Sequence, residues 1–206
     1  MAERSGYQGS AAARQVASLL LAYPDESLLA RLDLLQEAVA GLPARLKGPL
    51  TTTLDYVHAT PLGDQQRSYV TTFDLRKKCC LYLSWWVHGD TRNRGHALVA
   101  FKAAFREAGA LPPGDELPDH LAVVLEFAAT IDPAGGERLL TEHRPGLELL
   151  RQALHKAESP YAGVLDAVCA TLPGPASDAV AAARRIAATG PPTELVGLEP
   201  YRMVNR

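Results

Sequence analysis

A chain of 206 residues, 47 % hydrophobic and 21 % charged, is long enough for one fairly large domain with its own core, and its composition excludes intrinsic disorder. A formal net charge of −2 offers no global basic field for nucleic acid or for an anionic membrane surface. The N-terminal stretch "MAERSGYQGSAAARQ" has no apolar h-region, so no signal peptide is expected.

In chain order, the hydrophobic spacing is helical nearly throughout, and no run joins strand alternation to a hairpin turn. A first helix covers about residues 10–22 and stops at Tyr23-Pro24. A second follows Asp25, with Leu28, Leu32, Leu35 and Val39 on one stripe and Gly41 at its end. Pro43 opens a third that carries Leu46, Leu50, Leu54 and Val57, although the β-branched run Thr51-Thr52-Thr53 weakens it. Segments 79–87, 97–105 and 121–131 are apolar nearly all round, as buried helices are, and are expected at the centre of the domain. The first of these holds the longest apolar run, far too short to span a bilayer. Amphipathic helices over about 137–157, 161–171 and 177–189 wrap them, and Pro191-Pro192 ends the last. The expectation is a single all-α domain over residues 1–190, a bundle of about nine to ten helices, with residues 191–206 as an extended tail.

Chemistry-bearing motifs are scarce. There is no H-E-x-x-H, no phosphate-cradling G-x-x-x-x-G-K, no G-x-G-x-x-G after a strand and no G-x-S-x-G elbow. The six histidines lack the spacing that sets two ligands on one helix face. Cys79, Cys80 and Cys169 include no C-x-x-C pair and read as buried thiols in a reducing compartment. No metal, no resident cofactor and no catalytic role is expected.

Two cationic clusters stand out. In "WWVHGDTRNRG" the glycine and the Asp-Thr pair mark one helix ending and another starting, which places Arg92 and Arg94 at the end where cations are disfavoured. In an antiparallel pair these arginines would lie beside the last carbonyls of the preceding helix, where cations are favoured; an anionic or polar partner is the competing explanation. Gly95 inside the new helix implies close approach by another backbone. The second cluster, Arg76-Lys77-Lys78, follows Asp74, a candidate N-cap unless the preceding helix runs through it. A helix over 75–87 would be about 20 Å long and would hold the two clusters apart. Tyr69, Phe73, Cys79, Tyr82 and Trp86 follow one another at helical spacing, a stripe that fits a core or a groove.

The series "LLAYPDESLL", "YVTTFDLRKKCCLYLSWWVHGDTRNRGHALVAFKAAFREAG" and "ELPDHLAVVLEFAAT" resembles the NarJ family, assembly chaperones of respiratory nitrate reductase within the all-helical TorD-like superfamily. The likeness is most specific over 69–109, and the Pro-Asp-His of 118–120 looks like the hinge motif of that superfamily; Ser84-Trp85-Trp86 departs from its better-known members. The resemblance implies a cytoplasmic chaperone, not an enzyme, that binds the N-terminal segment of the catalytic subunit of the reductase. It implies that the apoenzyme is thereby held competent for insertion of molybdenum cofactor and iron–sulfur cluster before it docks on its membrane anchor. For such a client the groove candidates are Tyr69, Phe73, Tyr82 and Trp86, and the polar candidates are His88, Asp90, Arg92, Arg94, Asp119 and His120. A monomer without stable membrane insertion and without nucleic acid is expected. The alternatives are a helical ligand-responsive transcriptional regulator, which would need a basic recognition helix that 31–47 supplies poorly, and a ligand-binding enzyme using Glu126 or His120.

Overall fold

The structure, a computed structural model, describes residues 2–112, 114–174, 177–190 and Pro192. The expected tail, 191–206, therefore lies outside the described residues except for Pro192. Among the described residues there are twelve α-helices and no strand; ten of the helices have seven residues or more. None is long and apolar enough to cross a membrane.

The N-terminal part runs through five helices: α1 (Ala2–Leu21), α2 (Glu26–Leu29), α3 (Leu32–Ala40), α4 (Ala44–Ala59) and α5 (Leu62–Tyr69). Asp25 caps α2 by accepting the Leu28 N–H at 2.8 Å. The stripe from Leu28 to Val39 is split between two helices, because the backbone breaks at Ala30-Arg31. In α4 the spacing reads correctly: Leu46, Leu50, Leu54 and Val57 are all buried. Thr53 is buried with them and donates its hydroxyl to the Pro160 carbonyl.

The centre is α8 (Leu121–Thr130), buried on every side except at Glu126 and Thr130. It packs between α1 and α9 (Pro133–Glu142). The other two segments expected at the centre behave differently. Residues 79–87 are not one helix: a 3-10 turn at Lys77–Cys79 leads to extended Cys80 and Tyr82, and only then does α6 (Leu83–His88) begin. Asp74 closes a π turn instead of capping a helix, so the cationic cluster after it is no helix start. In α7 (Arg92–Glu107) only Phe101 and Phe105 are buried and Val99 is 61 % exposed, so this helix lies on the surface. A side chain at Gly95 would meet nothing, so no close backbone approach explains that residue.

The expected helix over 137–157 is two, α9 and α10 (Arg144–Lys156), broken at His143 with Pro145 in the first turn of the second. α11 (Ala162–Ala170) packs on α4 and α10, and α12 (Ser177–Thr189) packs on α10. Gly163 of α11 abuts the Pro49 carbonyl of α4, a contact that any side chain would block. Arg14 of α1 is 1 % exposed, yet its Nε and Nη2 donate to the Glu137 carboxylate at 2.7 Å and to the Thr171 hydroxyl and carbonyl. It ties α1 to α9 and to the end of α11.

Two stability predictions follow from this packing. Gly163→Ala is expected to lose about 2–3 kcal/mol, whereas Gly95→Ala, in open space within a helix, should gain about 0.5–1 kcal/mol; urea midpoints of the two variants compare them. The second concerns His143, whose Nδ1 donates to the Leu139 carbonyl at 2.8 Å and whose ring packs on Phe101. Burial holds its pKa below the ordinary 6.5 and His88 adds to this, against the opposing charges of Glu142 and Asp119. The unfolded chain therefore binds the proton more readily, and stability is complete above pH ~6.5 and falls as the pH drops below it. His143→Gln should reduce the stability difference between pH 7.5 and 5.5 by about 1 kcal/mol, read by chemical denaturation at both values.

Candidate functional site

The start of α6 is built around a carboxylate from elsewhere in the chain. Tyr82, at the N-cap position, makes no side-chain cap. Instead Asp119, fully buried, accepts the Ser84 hydroxyl at 2.5 Å and the Ser84 N–H at 3.2 Å. It thus serves as an N-cap supplied from outside the helix, where a negative charge is favoured. Two backbone bonds, Leu83 N to Asp119 O and Leu121 N to Leu81 O, both 2.9 Å, lock Tyr82 opposite His120 as an antiparallel bridge. The Arg94 guanidinium reaches the same place, 3.4 Å from the Ser84 hydroxyl and 4.0 Å from the Asp119 carboxylate. It also lies 5.2 Å over the Tyr82 ring and 3.7 Å from Asp90.

Arg94 is thus turned to the beginning of α6, not to the carbonyls at its end. Those are closed by Gly89, whose N–H donates to the Trp85 carbonyl at 2.7 Å and whose φ of +58° a side chain would resist. Thr91 occupies the N-cap position of α7 and donates to the His88 carbonyl at 2.7 Å, so neither it nor Asp90 makes a side-chain cap of α7.

Against this bridge lies a cavity of about 420 Å³. Its aromatic wall is Tyr23, Tyr69, Phe73 and Tyr82, with Leu19, Leu81, Ala122 and Val123 filling between them. Tyr69 is fixed by donating to the Leu21 carbonyl at 3.0 Å, and its ring meets those of Tyr23 and Phe73 at 5.4 and 4.8 Å. The π turn Val70–Asp74 widens the backbone there, so five residues make about one turn and Asp74 comes round to the side of Tyr69. Four carboxylates, Asp74, Asp115, Glu116 and Glu126, reach the cavity, and among the described residues no lysine or arginine does. Glu116 accepts the Tyr82 hydroxyl at 3.1 Å, and burial together with this carboxylate keeps the phenol protonated, its pKa pushed up to about 12.

His120 forms part of the floor, 6 % exposed, with its ring edge-on to Tyr82. Burial lowers its pKa, opposed by Glu116, Asp119 and Asp74, and its Nδ1 has no hydrogen-bond partner. That ring nitrogen is itself shut off from solvent, so among the described residues its desolvation goes uncompensated.

Of the residues singled out from the sequence, Tyr69, Phe73, Tyr82 and His120 line this cavity, and Asp119 and Arg94 stand behind its wall. Trp86 does not line it: its indole donates to the Cys80 carbonyl and its Cβ lies 2.7 Å from where Gly146 would carry one, so it belongs to the core. His88, Asp90 and Arg92 also lie outside it. Sequence reasoning missed Tyr23, Asp74, Asp115 and Glu116 as site residues and read Glu126 only as a possible enzyme carboxylate. Tyr23, Asp74 and Glu116 nevertheless sit inside the stretches "LLAYPD", "YVTTFD" and "ELPDH" on which the resemblance rests. Among the described residues no group of three His, Cys, Asp or Glu is placed to hold a metal ion.

Comparison with known proteins agrees with the geometry of a helical binding domain. The family model for the nitrate reductase delta subunit matches residues 39–167. The nitrate reductase-like protein NarX of Mycobacterium tuberculosis is 45 % identical over 157 residues, 76 % of this chain but only 24 % of that protein. The chain thus spans about a quarter of that relative. A Bacillus subtilis protein, named a probable nitrate reductase molybdenum cofactor assembly chaperone NarJ, is 32 % identical over 75 % of this chain and 85 % of its own length. The Escherichia coli nitrate reductase molybdenum cofactor assembly chaperone NarJ is 35 % identical over 73 % of this chain and 65 % of its own. With most of its length inside the family model and a relative matched nearly end to end, this chain belongs to the nitrate reductase delta subunit family, the family of the NarJ chaperones.

Proposed function

We propose that this chain is an assembly chaperone of a respiratory nitrate reductase and that it holds the N-terminal segment of the catalytic subunit in the cavity between α1, α8 and the Tyr82–His120 bridge. The observation that carries this reading is the make-up of the cavity: an aromatic wall edged by four carboxylates and, among the described residues, by no cation. Such a site favours a segment whose apolar side chains fill the wall while lysine or arginine meets the rim, as an amphipathic helix laid in a groove does. While the segment is held, the apoenzyme stays competent to receive molybdenum cofactor and iron–sulfur cluster, and its docking on the membrane anchor is delayed. On this reading the chaperone works by binding alone, in the cytoplasm, and holds no cofactor of its own.

The test is titration of the full chain with a labelled peptide of the first ~30 residues of the catalytic subunit, long enough for the helix such a groove accepts. Binding at micromolar concentration or tighter is expected, and it should weaken as ionic strength rises. Absence of binding to folded protein at several hundred micromolar overturns the proposal. Replacing two rim carboxylates, Asp74→Lys with Glu126→Lys, should weaken binding tenfold or more, equivalent to about 1.4 kcal/mol, since both groups are exposed and neither supports the core. Tyr23→Ala provides a check on the aromatic wall. This ring is 52 % exposed, so its loss should cost about 1 kcal/mol of peptide affinity while the melting temperature moves by no more than ~2 °C. An unchanged affinity would place the client elsewhere.

A further inference from the structure

A second cleft, about 380 Å³, meets the first at Glu116 and has the opposite balance of charge. Lys102 and Arg106 of α7 form one side, and Leu111, Leu117 and two prolines of the 111–118 loop form another. The two cations belong to a longer stripe. Arg92, Gly95, Val99, Lys102 and Arg106 recur at alternating steps of three and four, so they share one face of the helix, and all five are exposed. Val99 is 61 % exposed, and Leu111 beside the cleft is 81 % exposed. Gly95 has no explanation within the chain, because glycine weakens a helix interior and a side chain here would meet nothing. Cations around an apolar side chain, with a glycine that lets a neighbour approach, have the make-up of a contact face.

The complement of that face is the acidic cavity, whose aromatic wall and rim carboxylates suit a helix bearing apolar and cationic side chains together. Within one molecule the two do not meet, since no residue of α7 lines the cavity among the described residues. We propose that two copies of this chain pair about a two-fold axis beside the 111–118 loop. Each copy lays the exposed stripe of its α7 across the acidic cavity of the other, with Val99 toward the aromatic wall and Lys102 and Arg106 toward the rim carboxylates.

The placement of the two patches favours a closed pair. Because Glu116 borders both clefts, they lie side by side, and a two-fold rotation sets each against its complement on the other copy. Both contacts are then used within the pair, and neither is left to recruit a third copy. The monomer expected from the sequence is the dissociated form. The proposal rests on the make-up of the two clefts and not on what else the acidic cavity binds; any ligand that fills the cavity competes with pairing.

Sedimentation velocity of the full chain, from about 1 to about 200 µM, tests it. A dimer that grows with concentration and recedes as salt rises from about 50 to about 500 mM is expected. A monomer throughout, a dimer indifferent to salt, or growth past the dimer overturns the proposal. Charge reversal then decides which surfaces meet. Lys102→Glu with Arg106→Glu, and separately Asp74→Lys with Glu126→Lys, should each lower the association constant about tenfold or more; all four residues are exposed. An equimolar mixture of the two variants should regain the association of the parent, because both contacts of the mixed pair again join unlike charges. Variants that pair as well as the parent overturn the proposal, and so does a mixture of folded variants that stays apart. Circular dichroism checks their folding. Where reversal costs the fold, Lys102→Gln with Arg106→Gln reads the same contact: pairing about threefold weaker is expected, and unchanged pairing overturns the proposal.

Discussion

A carboxylate with no access to solvent organises the functional half of this molecule. Asp119 sits at the start of α6, takes two hydrogen bonds from Ser84, and is attached to the residue that forms the cavity floor. A buried charge of this kind is tolerated only when its hydrogen bonds and counter-charge are supplied, and here they come from α6 and from Arg94. One residue therefore fixes three things: where α6 begins, how α7 is drawn toward α6, and which way His120 faces. Its other oxygen has no partner, so the arrangement leaves part of the desolvation uncompensated. That residual cost is consistent with a segment shaped for a site more than for stability.

The bridge explains why an apolar run misled the helical reading. Residues 79–87 are as hydrophobic as α8, but hydrophobicity reports burial and not the backbone. Tyr82 is extended because the segment around His120 pairs with it, a contact between stretches some forty residues apart that no local pattern encodes. The break has a second effect. It resets the angular phase, so Trp86 no longer shares a face with Tyr69 and Phe73 despite its helical spacing from Tyr82. The other errors are also tertiary in origin. Alanines make 97–105 look central although its polar and small faces meet solvent, while Pro145 signals the break in 137–157 that periodicity bridges over. Where a helix runs without an internal break, as in α4, α8 and α12, spacing alone placed it to within a few residues.

The aromatic part of the site was legible and the acidic part was not, for one reason. Tyr69 and Phe73 lie on one continuous turn, so their neighbourhood is local and visible in the spacing. The four carboxylates come from the π turn, the 111–118 loop and α8, and each looks like ordinary surface charge until the fold gathers them. A net charge of −2 conceals the gathering, because it averages a cavity edged by four carboxylates with a helix that carries three arginines and a lysine against one glutamate.

That separation of sign has a physical consequence. Coulomb interaction at a half-exposed rim is weak for any one pair, but several like charges around one opening act together on a ligand and repel the wrong one. On the proposed reading, a segment bearing both apolar and cationic residues is drawn to the acidic cavity and repelled from the cationic face of α7. The two clefts share the wall that Glu116 occupies, so the choice between them is made over a distance of one loop. Discrimination of this kind works by exclusion as much as by attraction. On the proposed reading, the aromatic wall supplies affinity that is indifferent to sign and the rim supplies the sign, which distinguishes one amphipathic segment from another.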